Sequence, residues 1–246
     1  DARFYSERLF WMPDCFLPHR RLEPIPEAPS RAEMGLPEGA FVFCCFNLPK
    51  KLDRETLAAW LRILKAVDNS VLWLLEMDET MKSSLRQAFT AAGLDPARLI
   101  IATRLPLDQH LARHRCADLF LDNFIYGAQT TACDALRAGL PLLTLYGSTF
   151  VSRASASVLA AAGLPELICH DLATYEETAL ALARDPAKLA GFRQRLNETR
   201  ETAPLFDIDR FRRNFEAGLE HIVAAARAGR KPANVSVRDL LHDGGR

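Results

Sequence analysis

The sequence has no apolar run near the ~20 residues that cross a bilayer, since its longest, 41–46 and 71–75, are far shorter. That excludes a membrane helix. It has no excess of one charge: 31 Lys and Arg stand against 31 Asp and Glu, and the pI is near 7.2. A general nucleic-acid or anionic-membrane surface therefore has no support, and any phosphate binding must be local. No C-x-x-C pair occurs among the cysteines at 15, 44, 45, 116, 133 and 169, which removes zinc-ribbon and thioredoxin-type chemistry. The thiols read instead as small buried residues of a reducing, cytoplasmic compartment. Neither G-x-G-x-x-G nor G-x-x-x-x-G-K-[ST] is present, and no internal repeat is visible. Ser148, Ser152 and Ser155 lack the G-x-S-x-G nucleophile setting. His19, His114, His170, His221 and His242 have no spacing that suggests a metal or a triad. No signal peptide opens the chain, and its start at Asp1 reads as a piece of something longer.

What remains is 246 residues with 49% apolar side chains, enough for a sizeable core in one large domain or two small ones. Six of the 14 prolines fall within residues 1–40, so that segment reads as an extended connection from an upstream lobe. From residue 41 onward short apolar runs alternate with helical patterns. Strands are expected at 41–46, 71–75, 99–102, 119–121, 141–145 and 167–169. Helices are expected after an Asp53 cap, with Leu57, Trp60, Leu61 and Leu64 as the apolar face, then at 79–92, from Pro106, at 131–138 and at 150–162. Three more helical segments follow. The last puts Ile208, Phe211, Phe215, Leu219 and Ile222 on one face, and a flexible tail is expected over 229–246. The alternation implies an α/β fold, a Rossmann-like parallel sheet with helices on both faces, over 41–228.

Open parallel sheets bind ligands beyond the carboxyl ends of their strands, which directs attention to three places. Gln129, Thr130, Thr131 and Asp134 open a helix whose free N–H groups and dipole favour a phosphate. A plain capping box, Thr131 with Asp134, accounts for the same residues, and the two readings can coexist. His110 and Arg113, three apart, share a helix face: either a solvated surface, or an imidazole for a base and a guanidinium for a diphosphate. Lys50 and Lys51 follow the first strand, where an ammonium is either merely solvated or neutralises a diphosphate.

In order along the chain, FCCFN (43–47), SVLWLL (70–75), PLDQHLAR (106–113), ADLFLD (117–122), TTACDAL (130–136) and AGLP (138–141) resemble the catalytic C-terminal lobe of the O-GlcNAc transferase family. Ser152 with Arg153, GLPEL (163–167) and APLFD (203–207) extend the resemblance, which covers about residues 3–222 and is nearest to bacterial members with tetratricopeptide repeats upstream. The resemblance implies the donor-binding lobe of a GT-B glycosyltransferase that moves GlcNAc from UDP-GlcNAc to a Ser or Thr hydroxyl of a protein. Inversion at the anomeric carbon, no metal, no further cofactor, and an upstream lobe as partner come with it, as does inactivity of this lobe alone.

Carried over by motif, Lys51 contacts the leaving diphosphate, His110 lies against the uracil and Arg113 holds the nucleotide end. Thr130 and Thr131, with Gln129 before them, meet the phosphates, and Asp134 takes the ribose hydroxyls. The sequence departs from the family in having Leu48 for a Gln, Gln129 for a His, Gly127 for an Asn and Arg137 for a Trp. A degenerate UDP-binding or interaction module, an asparagine-directed transferase and a nucleotide-sugar epimerase are the alternatives.

Overall fold

A computed structural model of the protein describes residues 2–19, 24–200 and 202–243. In chain order the strands are β1 (Phe10–Trp11), β2 (Phe41–Cys45), β3 (Ser70–Leu75), β4 (Leu99–Ala102), β5 (Leu119–Leu121), β6 (Leu142–Leu145), β7 (Ile168–Cys169) and β8 (Val235–Ser236). The α-helices are α1 (Arg54–Ala66), α2 (Glu79–Ala91), α3 (Leu107–Arg113), α4 (Thr130–Arg137), α5 (Phe150–Ala161), α6 (Leu172–Arg184), α7 (Pro186–Thr199), α8 (Ile208–Arg227) and α9 (Val237–Asp243).

The chain divides into two compact units, residues 23–200 and residues 1–22 with 201–246. The first carries a six-stranded parallel sheet of order β4-β3-β2-β5-β6-β7. Residues along β2, β3 and β5 are buried almost without a break. Successive side chains point to opposite faces, so both faces of the sheet are covered, which is why these strands read as continuous apolar runs rather than alternating ones. From β2 the chain builds outward to β4 and then returns to the other side of β2 at β5. The carboxyl ends of β2 and β5 thus form the switch point of the sheet, where its crevice lies.

Local chemistry fixes the elements that frame this crevice. Asp53 caps α1, accepting from the N–H groups of Glu55 and Thr56 at 3.0 Å. The buried face of α1 is Thr56, Ala59, Trp60, Ile63 and Leu64, so the expected stripe is rotated: Leu57 and Leu61 sit at its half-buried margin. Thr56 is inside because its hydroxyl donates to Asp53 at 2.6 Å and accepts the Phe124 N–H at 3.1 Å.

The stretch before β2 has no helix or strand from residue 24 to 40, but it belongs to the sheet unit and not to a separate linker. Arg31 fastens it: the guanidinium donates to the carbonyls of Glu38, Ala40 and Cys116 and to the Asp118 carboxylate at 2.7 Å.

The second unit contains the parallel pair of β1 and β8, with Phe10 opposite Val235. The Phe10 ring rests on Gly218 of α8, where no side chain would fit, and meets Phe215 edge-on at 5.7 Å. Two expectations are corrected here. The residues after 228 are not a loose tail, since Val235 and Val237 are buried and β8 and α9 form there. The division at residue 200 also assigns α8 to this unit, whereas the 41–228 boundary grouped it with the sheet. Phe215, Leu219 and Ile222 lie largely exposed on α8. Residues 1 and 20–23 of the expected extension, 201 of the expected lobe and 244–246 of the expected tail lie outside the described residues.

Candidate functional site

At the switch point a fully buried carboxylate holds several elements together. Asp122, just past β5, accepts from Asn47 Nδ2 at 3.1 Å, Thr144 Oγ1 at 2.8 Å and Ser155 Oγ, and from the N–H groups of Asn123 at 2.9 Å and Ala128 at 2.7 Å. Burial raises its pKa, and these donors work in the opposite direction by favouring the charged form. The donors come from the end of β2, from β6, from α5 and from the 123–129 loop, so one residue sets the shape of the loop that leads into α4. Gly127 is tight against the same group: a Cβ there would lie 3.0 Å from both Asp122 Oδ2 and Ser155 Oγ and 3.3 Å from the Val151 carbonyl. Any side chain there would require the carboxylate, Ser155 or the Val151 carbonyl to give way.

Lys51 ends a 3-10 turn, Pro49–Lys51, that follows β2. Its Nζ donates to the Gly127 carbonyl at 3.2 Å and lies 4.1 Å from the centroid of the Tyr126 ring. Burial lowers its pKa, and the Asp122 carboxylate pushes it back up. The ammonium is therefore held at the loop that precedes α4, partly screened from water. Leu48, three residues earlier, is 47% exposed and has no polar group to offer. Beside it a crevice is lined by Asn47, Pro49, Leu52, Met77 and Asn123.

The capping-box reading of α4 does not survive. Thr131 is already the second helical residue and its hydroxyl donates to Asn47 Oδ1, so it is no cap; Gln129 is the N-cap, and its side chain makes no capping hydrogen bond. The first carbonyl taken up is that of Gln129, by Ala132 and Cys133 at 3.0 and 3.1 Å, while among the described residues the N–H groups of Thr130 and Thr131 find no acceptor. Thr130 is exposed, and Gln129 and Thr131 are half-buried. Asp134 is one turn in, 8% exposed, and no donor among the described residues reaches its carboxylate. Burial raises its pKa to about 6, with Arg137 opposing the shift. An acid so placed is short of hydrogen-bond donors, which is the condition a pair of ligand hydroxyls would relieve.

Beyond β4, α3 carries His110 half-buried and Arg113 only 1% exposed. The shared solvated face expected for the pair is thus wrong for Arg113. Its guanidinium donates to the Thr103 carbonyl and to Nδ1 of His110, with the Phe46 ring centroid 4.8 Å away. Its charge is desolvated, and its pKa falls to about 10. His114, which no sequence pattern singles out, is completely buried against Phe46 and His110, donating to the His110 carbonyl at 2.7 Å.

Lys51, Gln129, Thr130, Thr131 and Asp134 thus gather around the switch point, as the strand-end rule anticipates. His110 stands past β4, and Arg113 lies behind it. Asn47, Asp122, Tyr126, Thr144 and Ser155 were missed as site residues. For Asn47 and Asp122 a signal existed, since each follows the end of a strand. Among the described residues no three His, Cys, Asp or Glu side chains converge as a metal site, and no helix is long and apolar enough to cross a membrane.

Comparison with known proteins agrees with this frame. The pattern of Glycosyl transferase family 41 matches residues 24–215. The chain is 34% identical over 244 residues, 96% of its length, to the probable UDP-N-acetylglucosamine--peptide N-acetylglucosaminyltransferase SEC of Arabidopsis thaliana, of which it spans 25%. It is 34% identical over 187 residues, 76% of its length, to the UDP-N-acetylglucosamine--peptide N-acetylglucosaminyltransferase of Caenorhabditis elegans, of which it spans 16%. Among solved structures, a mutant of the Thermobaculum terrenum O-GlcNAc transferase superposes with a TM-score of 0.79 at 30% identity, over 90% of this chain and 41% of that one. The α/β sheet is accordingly of the GT-B type. On both sequence and structure, the chain belongs to glycosyl transferase family 41.

Proposed function

We propose that this chain is the donor-nucleotide lobe of a protein O-GlcNAc transferase, which transfers GlcNAc from UDP-GlcNAc to Ser or Thr hydroxyls with inversion and without a metal. The observation that carries the reading is Asp134, a nearly buried carboxylate that no donor among the described residues reaches, one turn into a helix whose first N–H groups find no acceptor among them. A ribose supplies two hydroxyls to such an acid, and a diphosphate supplies the acceptor oxygens that Thr130 and Thr131 lack. His110 lies against the base.

In the reaction the acceptor oxygen attacks the anomeric carbon from the face opposite the diphosphate. The bond between that carbon and the phosphate oxygen breaks, and its electron pair leaves with UDP. The charge that develops falls between Lys51 and the N-terminus of α4, which offer fixed positive ends in a partly dry site. Those groups perform here the charge neutralisation that a divalent cation performs elsewhere. The proton of the hydroxyl goes to a base supplied from outside this lobe, and the lobe by itself transfers nothing. The protein acceptor, an opposing lobe and upstream tetratricopeptide repeats complete the working enzyme in this reading.

A second reading is a UDP-binding module without catalysis. Leu48 favours it, because an exposed leucine beside the turn of Lys51 makes no contact with phosphate. Calorimetric titration with UDP, and with ADP as control, tests both. Selective UDP binding that is weakened in Lys51→Ala and Asp134→Ala supports a donor lobe, and absence of binding to either nucleotide refutes it. In the longer enzyme, Leu48→Gln with Gln129→His raises transfer from near zero under the second reading and does not under the first.

A further inference from the structure

We propose that Arg113 is a positioning residue: it donates to Nδ1 of His110 and thereby locks that imidazole as the neutral tautomer whose only N–H is at Nε2. The inference rests on the reading of His110 as a nucleotide contact, and it concerns how that contact is prepared.

Donor and acceptor capacity sets the direction of the bond. A guanidinium has five N–H donors and no acceptor, so a hydrogen bond between Arg113 and His110 can run in one direction only. Nδ1 of His110 must offer a lone pair. An imidazolium has none, and the Nδ1–H tautomer would turn a proton toward the guanidinium, so one protonation state remains. The rest of Arg113 is immobilised. Its second terminal nitrogen donates to the Thr103 carbonyl just past β4, and its planar group lies 4.8 Å from the Phe46 ring centroid and 5.9 Å from that of Trp73. No carboxylate pairs with it among the described residues. A guanidinium buried at 1% exposure without a counter-ion is costly, and an arrangement kept at such a cost is understandable where the charge acts on a neighbour.

The groups facing His110 all act the same way. Arg113 faces it on its own helix, His114 follows in the next turn with its ring 4.8 Å away, and Phe46 from the end of β2 brings no charge. Burial and the Arg113 charge lower the His110 pKa to about 4, and His114, pushed to about 3, is neutral as well. A neutral ring meets a neutral base without a charge to desolvate, and it does so unchanged across the physiological range.

The test uses the chain labelled with 15N in its histidines. Long-range 1H–15N correlation reads the tautomer of each ring directly, before any ligand is added. His110 is expected as Nε2–H at neutral pH and still uncharged near pH 5.5, and the affinity for UDP-GlcNAc, whose diphosphate diester does not titrate there, is expected to be flat between about pH 5.5 and 7.5. In Arg113→Met the His110 ring loses both the donor and the charge, so it populates both tautomers and its pKa rises from about 4, while the burial that is the larger cause of the low value remains. A wild-type His110 that is Nδ1–H or charged at neutral pH overturns the proposal, as does an Arg113→Met ring with unchanged tautomer and titration. Should that variant not fold, the wild-type tautomer decides alone. Failure of UDP-GlcNAc to bind the wild type would count against the donor-lobe reading, while the tautomer of His110 would still decide the role of Arg113.

Discussion

Gly127→Ala is the smallest change that should disturb the site without touching a ligand. The added Cβ meets three neighbours at once, Asp122 Oδ2 and Ser155 Oγ at 3.0 Å and the Val151 carbonyl at 3.3 Å. None of them can yield easily. Five donors surround the carboxylate, Ser155 Oγ shares its one proton between Asp122 and the Ala128 carbonyl 2.7 Å away, and the Val151 carbonyl accepts the Gly127 N–H itself at 3.1 Å. Overpacking of this kind costs ~1–3 kcal/mol. For a chain of this length that lowers Tm by roughly 2–4 °C per kcal/mol, well within the range of a thermal-shift assay. The same shift moves the Gly127 carbonyl that anchors Lys51, so UDP affinity should fall together with Tm. Ser155→Ala removes one of the clashes along with one hydrogen bond to Asp122. It should therefore cost less in the Gly127→Ala background than alone, and the double-mutant cycle should give a non-zero coupling. A Gly127→Ala protein with unchanged Tm and unchanged UDP affinity would refute the picture of a rigid loop built on Asp122.

Other expectations follow from the same geometry. The Asp134 pKa lies near 6, above the ordinary carboxylate value, so the folded state keeps a proton that the unfolded chain gives up and loses stability as pH rises toward 6. Asp134→Asn should then raise Tm by a few degrees at pH 7.5 and not at pH 4, about 1–2 kcal/mol after allowance for residual solvation, while UDP binding weakens; equal shifts at both pH values would count against it. His114 titrates near 3 when folded, below the ordinary imidazole value, so its contribution is complete above about pH 6.5 and is lost as the solution is acidified. Urea denaturation from pH 7 to 4.5 should show a stability loss that is smaller in His114→Gln. Asp53→Ala removes the α1 cap and costs ~1 kcal/mol. It also frees Thr56 from Asp53, so hydrogen exchange at the Phe124 amide should quicken along with that of the first turn of α1.

The sheet was legible because strands covered on both faces must be apolar throughout, and runs such as FVFCC (41–45) admit few other readings. Most helix limits followed from caps and from glycines such as Gly139, whose φ of 83° ends α4. Looking just past strand ends located Lys51 and the start of α4. Composition misled at Arg113, since a charged residue three from a histidine reads as surface until the Phe46 and Trp73 rings are known to cover it. Asp122 was passed over for the converse reason: a single acid at the end of an apolar run has no periodicity, and its donors come from sequence positions up to 75 residues away. The pairing of residue 10 with residue 235 is longer still, and no local pattern announces it.

The dependence of the loop on Asp122 has a consequence for how such a site can change. Thr144 and Ser155 hold that carboxylate from β6 and α5, and a substitution at either would be felt in the loop that carries Gly127 and leads into α4, where the donor-lobe reading puts the phosphates. In that reading selection for donor binding also constrains the buried residues around Asp122, and drift at one of them favours a compensating change at another. Exchange of the donor sugar or base, by evolution or in the laboratory, has its easier route through the solvent-facing positions Leu48 and Thr130, which can vary one at a time while the buried set is kept whole.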